Sequence, residues 1–205
     1  MDEMQENNAV YLCGSPAGEP IYSHESRTER FYTFPLEVVR LSGTADRLNI
    51  LLREAMLPEV RTSRAGLTEV RGELRSFNNR SGQGRRLVIS VFARQLSPAA
   101  EPFWDNRVEL RGTLCKAPVL RLTPMGREIC DLLLAVNRPY GRSDYLPCIA
   151  WGQMARMAAA WDVGQRLELQ GRLQSREYIK NLEGRSERRT AFEVSASRLA
   201  PLEKE

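Results

Sequence analysis

Tyr145 and Trp151 share one parity of the run Asp144-Tyr145-Leu146-Pro147-Cys148-Ile149-Ala150-Trp151. If the run is a strand, both rings reach one face, and Leu146, Cys148 and Ala150 reach the other. A displayed ring can stack on the π-face of any nucleobase, contributing roughly 1–3 kcal/mol per base. Other chemistry is poorly supplied. The one histidine, His24, sits in a polar, loop-like run, which leaves no histidine triad or histidine metal cluster. Cys13, Cys115, Cys130 and Cys148 have no CxxC spacing and read as reduced, partly buried thiols. Gly82-Gln83-Gly84 lies between two strand-like runs and reads as a hairpin turn rather than a phosphate loop. Nothing here argues for catalysis, a cofactor, a metal or a small-molecule substrate.

Charge points the same way. Net charge is +4 with a pI near 9.0, and the lysines are only Lys116, Lys180 and Lys204, so the cations are overwhelmingly arginine. Arginine offers planar, bidentate contacts to phosphate and stacks on rings, which favours an anionic polymer as partner. The chain opens with no positively charged then apolar leader and holds no run of about 18 apolar residues, so a cytoplasmic protein off the membrane is expected.

The elements that must position these residues are written twice. Val10-Tyr11-Leu12-Cys13-Gly14 returns as Val108-Glu109-Leu110-Arg111-Gly112, an offset of 98. The same offset carries Pro20 to Pro118, Leu36 to Leu134, Val38 to Val136, Arg40 to Arg138, Gly43 to Gly141, Asp46 to Asp144 and Leu48 to Leu146. One further residue of offset carries Gly72-Glu73-Leu74 to Gly171-Arg172-Leu173. Two domains follow, 1–98 and 106–205, joined by a proline-containing linker, 99–105. The polar first seven residues are expected to fray.

In the second copy the strand-like runs are Arg107–Thr113, Ile129–Arg138, Tyr145–Trp151, Arg166–Glu177 and Arg189–Leu199. A helical segment, Gln153–Trp161, interrupts them after the third. Three strands, a helix and two strands are the order of the oligonucleotide/oligosaccharide-binding (OB) barrel. The expected fold is therefore all-β, two tandem five-stranded OB barrels with one short helix each. The first copy's helical segment, between Leu52 and Leu67, contains Pro58 and carries a weaker signal. Pro147 cannot donate a ladder hydrogen bond and could bulge its strand.

Two copies of one fold share a core but need not share a site. Leu48, Ile50 and Leu52 match Leu146, Cys148 and Ala150, so that parity is core; Arg47 and Arg53 stand where the second copy has Tyr145 and Trp151. Tyr140 maps to Ser42 and Tyr178 to Asn79, again aromatics where a polar residue also fits. Along the fourth strand Leu169, Gly171 and Leu173 point inward, with Arg172, Gln174, Arg176 and Tyr178 outward; Arg107 and Arg111 take the outward parity of the first strand. Singly, each arginine is solvated surface and each tyrosine ordinary rim packing. Trp151 alone could equally pack beneath the following helix or in an interface. Four rings interleaved with arginines on one side of a barrel have the composition of a single-strand platform.

Asn106-Arg107-Val108-Glu109-Leu110-Arg111-Gly112, Val119-Leu120-Arg121-Leu122-Thr123-Pro124-Met125-Gly126, Leu134-Ala135-Val136-Asn137-Arg138-Pro139 and Gly171-Arg172-Leu173-Gln174-Ser175-Arg176-Glu177-Tyr178 resemble the bacterial single-stranded DNA-binding protein family. The resemblance covers 106–202 and, through the repeat, fainter stretches of 8–98. It implies that Tyr140, Tyr145, Trp151 and Tyr178 stack on bases, with Arg107, Arg111, Arg121, Arg172 and Arg176 as phosphate contacts. RNA fits the same surface, since stacking alone does not see the 2′-hydroxyl. In the first copy Arg47, Arg53, Arg75 and Phe77 are weaker candidates. The family commonly assembles four barrels, so a homodimer of this two-barrel chain is implied, acting in DNA replication, recombination or repair. The family's usual acidic tail is not matched by Pro201-Leu202-Glu203-Lys204-Glu205. That departure favours the alternative, an assembly or adaptor protein like the primosomal members of the superfamily.

Overall fold

The computed structural model describes residues 7–62, 66–78, 87–100, 103–182 and 185–203, apart from the side chains of residues 140, 180–182, 185 and 187–189. The Gly82-Gln83-Gly84 turn and the first six residues lie outside the described residues. Six strands precede residue 100: β1 Asn8–Pro16, β2 Ile21–Ser26, β3 Glu29–Val39, β4 Ala45–Arg53, β5 Thr68–Asn78 and β6 Leu87–Pro98. Six follow: β7 Asp105–Leu114, β8 Val119–Leu122, β9 Glu128–Asn137, β10 Ser143–Trp151, β11 Arg166–Leu182 and β12 Arg185–Pro201.

Each set closes a five-stranded barrel. In the first, β1 pairs with β3 and β5, β3 with β4, β4 with β6 in parallel, and β6 with β5. The second repeats the circuit through β7, β9, β10, β12 and β11, with β10 and β12 parallel. These are two OB barrels, as the repeat predicts. Each gains a short sixth strand at its margin, β2 on β3 and β8 on β9. His24 therefore lies in a strand, correcting its reading as part of a loop.

The shared parity is the core. Leu48, Ile50, Leu52, Leu146, Cys148 and Ala150 are all buried, and fully burying each large aliphatic among them stabilises by about 1.5–3 kcal/mol. Pro147 breaks nothing: β10 pairs with β9 without a register shift from Ser143 to Trp151. A Cβ at Gly72 or Gly171 would run into the carbonyl oxygen of Phe92 or Ser195, so the repeated Gly-x-Leu marks a close strand approach in each barrel. All four cysteines are free, and burial is the main force pushing their thiols up.

Helices are brief. α1, Leu57–Thr62, forms despite Pro58 because the proline sits in the first turn, where its missing N–H has no helical partner to lose. α2, Gly152–Ala158, is shorter than expected and turns Ala155 and Ala158 into the core. Among the described residues no helix is long and apolar enough to cross a membrane.

The chain divides into two compact units that do not coincide with the sequence copies. Unit 1 comprises Met1–Arg75 and Ser90–Glu109; unit 2 comprises Ser76–Ile89 and Leu110–Glu205. The last residues of β5, Ser76–Asn78, and the first of β6, Leu87–Ile89, thus belong to unit 2, and the first residues of β7 belong to unit 1.

One ion pair recurs in both. Arg40 clasps Asp46 through Nε and Nη2, both at 2.6 Å, and Arg138 clasps Asp144 through Nε at 2.5 Å and through Nη2. Both carboxylates are buried, and the fork geometry suits a short turn that must return one strand beside another.

Candidate nucleic-acid interface

The outward parity of β10 carries Tyr145, Pro147, Ile149 and Trp151. Tyr145 is 49% exposed. Trp151 is half-buried; its indole N–H donates to Ser195 Oγ at 3.0 Å, which fixes the ring along the sheet. Arg172 is exposed and pairs across β11 and β12 with that same Ser195, next to the indole's partner. Tyr178 is half-buried on β11, and the Arg176 guanidinium carbon lies 5.9 Å from its ring centroid.

A groove of about 420 Å³ runs over this part of unit 2, walled by Tyr178, Arg176, Arg121, Pro147, Glu193 and the hairpin residue Leu87. Its arginines come with counterions. Arg121 donates to Asp131 through Nη2 at 3.0 Å and through Nε, and that hydrogen bond is the first cause holding its guanidinium above the usual range. Arg176 lies 3.6 Å from Glu193, whose other partner is the Gln174 amide at 2.9 Å. Gln174, on the outward parity, is buried, and this hydrogen bond satisfies its amide. A phosphate entering the groove would exchange with carboxylates for arginine, so the salt dependence should be smaller than an arginine count suggests.

Not all expected residues meet there. Arg111 is exposed, pairs with Glu168 at 3.2 Å and does not line the groove. Arg107 belongs to unit 1, where it bonds Asp105 at 2.8 Å and stacks 4.7 Å from the Tyr11 centroid. The backbone of Tyr140 forms a 3-10 turn, Pro139–Gly141, but its side chain lies outside the described residues. Among the weaker candidates, Arg47 donates to the Ala17 carbonyl at 3.1 Å, Arg53 pairs with Glu29 at 2.9 Å, and Arg75 pairs with buried Glu73. Phe77 is half-exposed and falls in unit 2.

Ser76 emerges as an unexpected member of the site. Its N–H donates to Asp144 Oδ1 at 2.5 Å, its carbonyl accepts from Arg138 Nη2 at 3.2 Å, and its hydroxyl accepts from the Tyr145 N–H at 2.7 Å. The hairpin root therefore pins the backbone that presents Tyr145. The repeated Arg–Asp pair was the only sequence signal for this clasp; a serine 68 residues from its aspartate gave none.

A closed barrel whose outer face carries rings and arginines about a groove defines the class of this chain: an OB-fold protein. Residues 105–202, just under half of the chain, match the model of the single-strand binding protein family. Curated relatives agree. The single-stranded DNA-binding protein of Halalkalibacterium halodurans is 38% identical over 87 residues, covering 39% of this chain and 51% of that one. Single-stranded DNA-binding protein A of Bacillus subtilis is 38% identical over 80 residues, covering 36% and 46%. The chain thus spans about half the length of the curated relatives it matches. The crystal structure of the wild-type single-stranded DNA binding protein from Thermus aquaticus superposes with a TM-score of 0.75 at 23% identity, covering 97% of this chain and 94% of that one, which establishes likeness of fold.

Proposed function

We propose that this protein binds single-stranded DNA without sequence selection and without a chemical step, shielding it in the cytoplasm during replication, recombination or repair. The observation that carries the reading is the grouping of Tyr178, Arg176 and Arg121 about one groove, beside Tyr145, Trp151 and Arg172. Stacking is indifferent to base identity and arginine reads only the backbone, so affinity comes with little sequence preference. The family resemblance adds Tyr140 and Arg111 as further candidates for the same binding. Competition against a labelled oligothymidine tests it: mixed-sequence single strands should compete nearly as well, and duplex of the same length poorly. Equal competition by duplex would overturn the proposal, and preferential competition by RNA would redirect it.

The family resemblance further supports a homodimer presenting four barrels. Sedimentation at micromolar concentration should then report twice the 23.3 kDa chain mass, whereas a stable monomer contradicts that assembly. The adaptor reading keeps one observation in its favour. Val119, Leu120, Leu122 and Met125 are all exposed on β8 and the turn after it, an apolar strip suited to protein contact.

A further inference from the structure

Arg121 and Asp131 both line the groove, and they do so from neighbouring strands. In the β8–β9 ladder Val119 lies opposite Asp131 and Arg121 opposite Ile129, so arginine and aspartate are diagonal neighbours on one face, a span that a long side chain bridges. Arg121 commits the whole Nε–Nη2 edge of its guanidinium to the aspartate: Nη2 donates to Oδ1 at 3.0 Å, and Nε donates to Oδ2. That edge is the one a phosphate would take. Arg176 is held more loosely. Its Nε stands 3.6 Å from Glu193, beyond hydrogen-bond range, and its guanidinium lies by the Tyr178 ring.

Stability does not account for the Arg121–Asp131 pair. Its side chains are 39% and 42% exposed, and an ion pair this open to water adds at most about 1 kcal/mol to folding. The first barrel closes without it. The offset of 98 carries Arg121 to Ser23 and Asp131 to Thr33, so β2 joins β3 with no charge at either position. Of the two copies, the one with the pair is the one that displays Tyr145 and Trp151.

We infer that Asp131 is a specificity-determining residue of the groove: it occupies Arg121 so that a nucleic-acid strand reaches that arginine and free phosphate does not. The inference rests on the proposed function. A lone phosphate entering the groove meets one loosely held guanidinium, Arg176, and a second already satisfied by a bidentate carboxylate. It must displace Asp131 from bulk solution. A phosphate of a strand already seated on the rings is tethered there at a millimolar effective concentration and can make the exchange. Asp131 imposes the same cost on every anion; the strand, with its other contacts, still binds, whereas a lone phosphate is left with Arg176 alone. The exchange also frees a carboxylate, which takes up a cation as the phosphate gives one up, so Arg121 adds little to the salt slope.

The test titrates labelled oligothymidine with the full chain over a salt series, in chloride and in inorganic phosphate of equal ionic strength. The wild type should bind alike in the two salts. Asp131→Asn and Asp131→Thr, the second installing the residue of the sister position, should each bind about 3-fold or more tighter at low chloride. Their salt slope should steepen by about 0.7, because the Arg121 contact now counts in full, and phosphate should weaken them more than chloride does. A poorly folded chain does not bind more tightly. These gains should vanish when either substitution is combined with Arg121→Ala. Failure of both single variants to tighten, gains that persist without Arg121, or a wild type as sensitive to phosphate as the variants would each overturn the role of Asp131, and saturable wild-type binding would leave the proposed function standing. Absence of saturable wild-type binding would overturn both.

Discussion

Replacing Tyr145 and Tyr178 together by alanine should weaken oligothymidine binding by about 2–6 kcal/mol, roughly 30-fold or more, if each ring stacks on one base. Stability should change little, because Tyr145 is half in solvent and Tyr178 borders an open groove. The salt slope should hardly move, since neither ring neutralises a phosphate. Trp151→Ala is a less clean change: it also removes the hydrogen bond to Ser195 and half-buried packing, so affinity and melting temperature should fall together. An isotherm for the tyrosine pair matching wild type would remove stacking from the account.

The second large effect is on folding. Asp144→Ala should cost about 3 kcal/mol, read as a lower denaturation midpoint, because it leaves a part-buried Arg138 guanidinium and the Ser76 N–H without the carboxylate they share. The loss should reach binding too. Without Asp144 the Ser76 clasp loosens, and with it the backbone of Tyr145 and the groove wall contributed by Leu87. Ser76→Ala, which removes only the hydroxyl, should be milder, about 1 kcal/mol. If Asp144→Ala melts like wild type, the clasp is not what anchors the hairpin root.

The repeat made the barrels legible, because a fixed offset exposes which parity stays apolar in both copies. Leu48–Leu52 against Leu146–Ala150 needed no structure to be assigned inward. β2 and β8 escaped notice for a physical reason: as marginal sixth strands they bury little, and Ile21–Ser26 is exposed along its whole length, so no alternation marks it. Parity alone could not tell that Gln174 is buried, because its neighbour there is Glu193 on another strand, which its amide meets at 2.9 Å. The Ser76 clasp and the membership of Ser76–Asn78 and Leu87–Ile89 in unit 2 are tertiary facts with no local pattern.

The central claim is that a single strand lies on the rings and arginines of this outer face. Its most direct test titrates the intact chain with labelled oligothymidine at several salt concentrations, beside a duplex of equal length. The account predicts saturable binding to the single strand, log affinity falling linearly with log salt at about −0.7 per phosphate engaged, and far weaker binding to the duplex. Absence of saturable binding at low salt, or duplex binding as tight as single-strand binding, would contradict it.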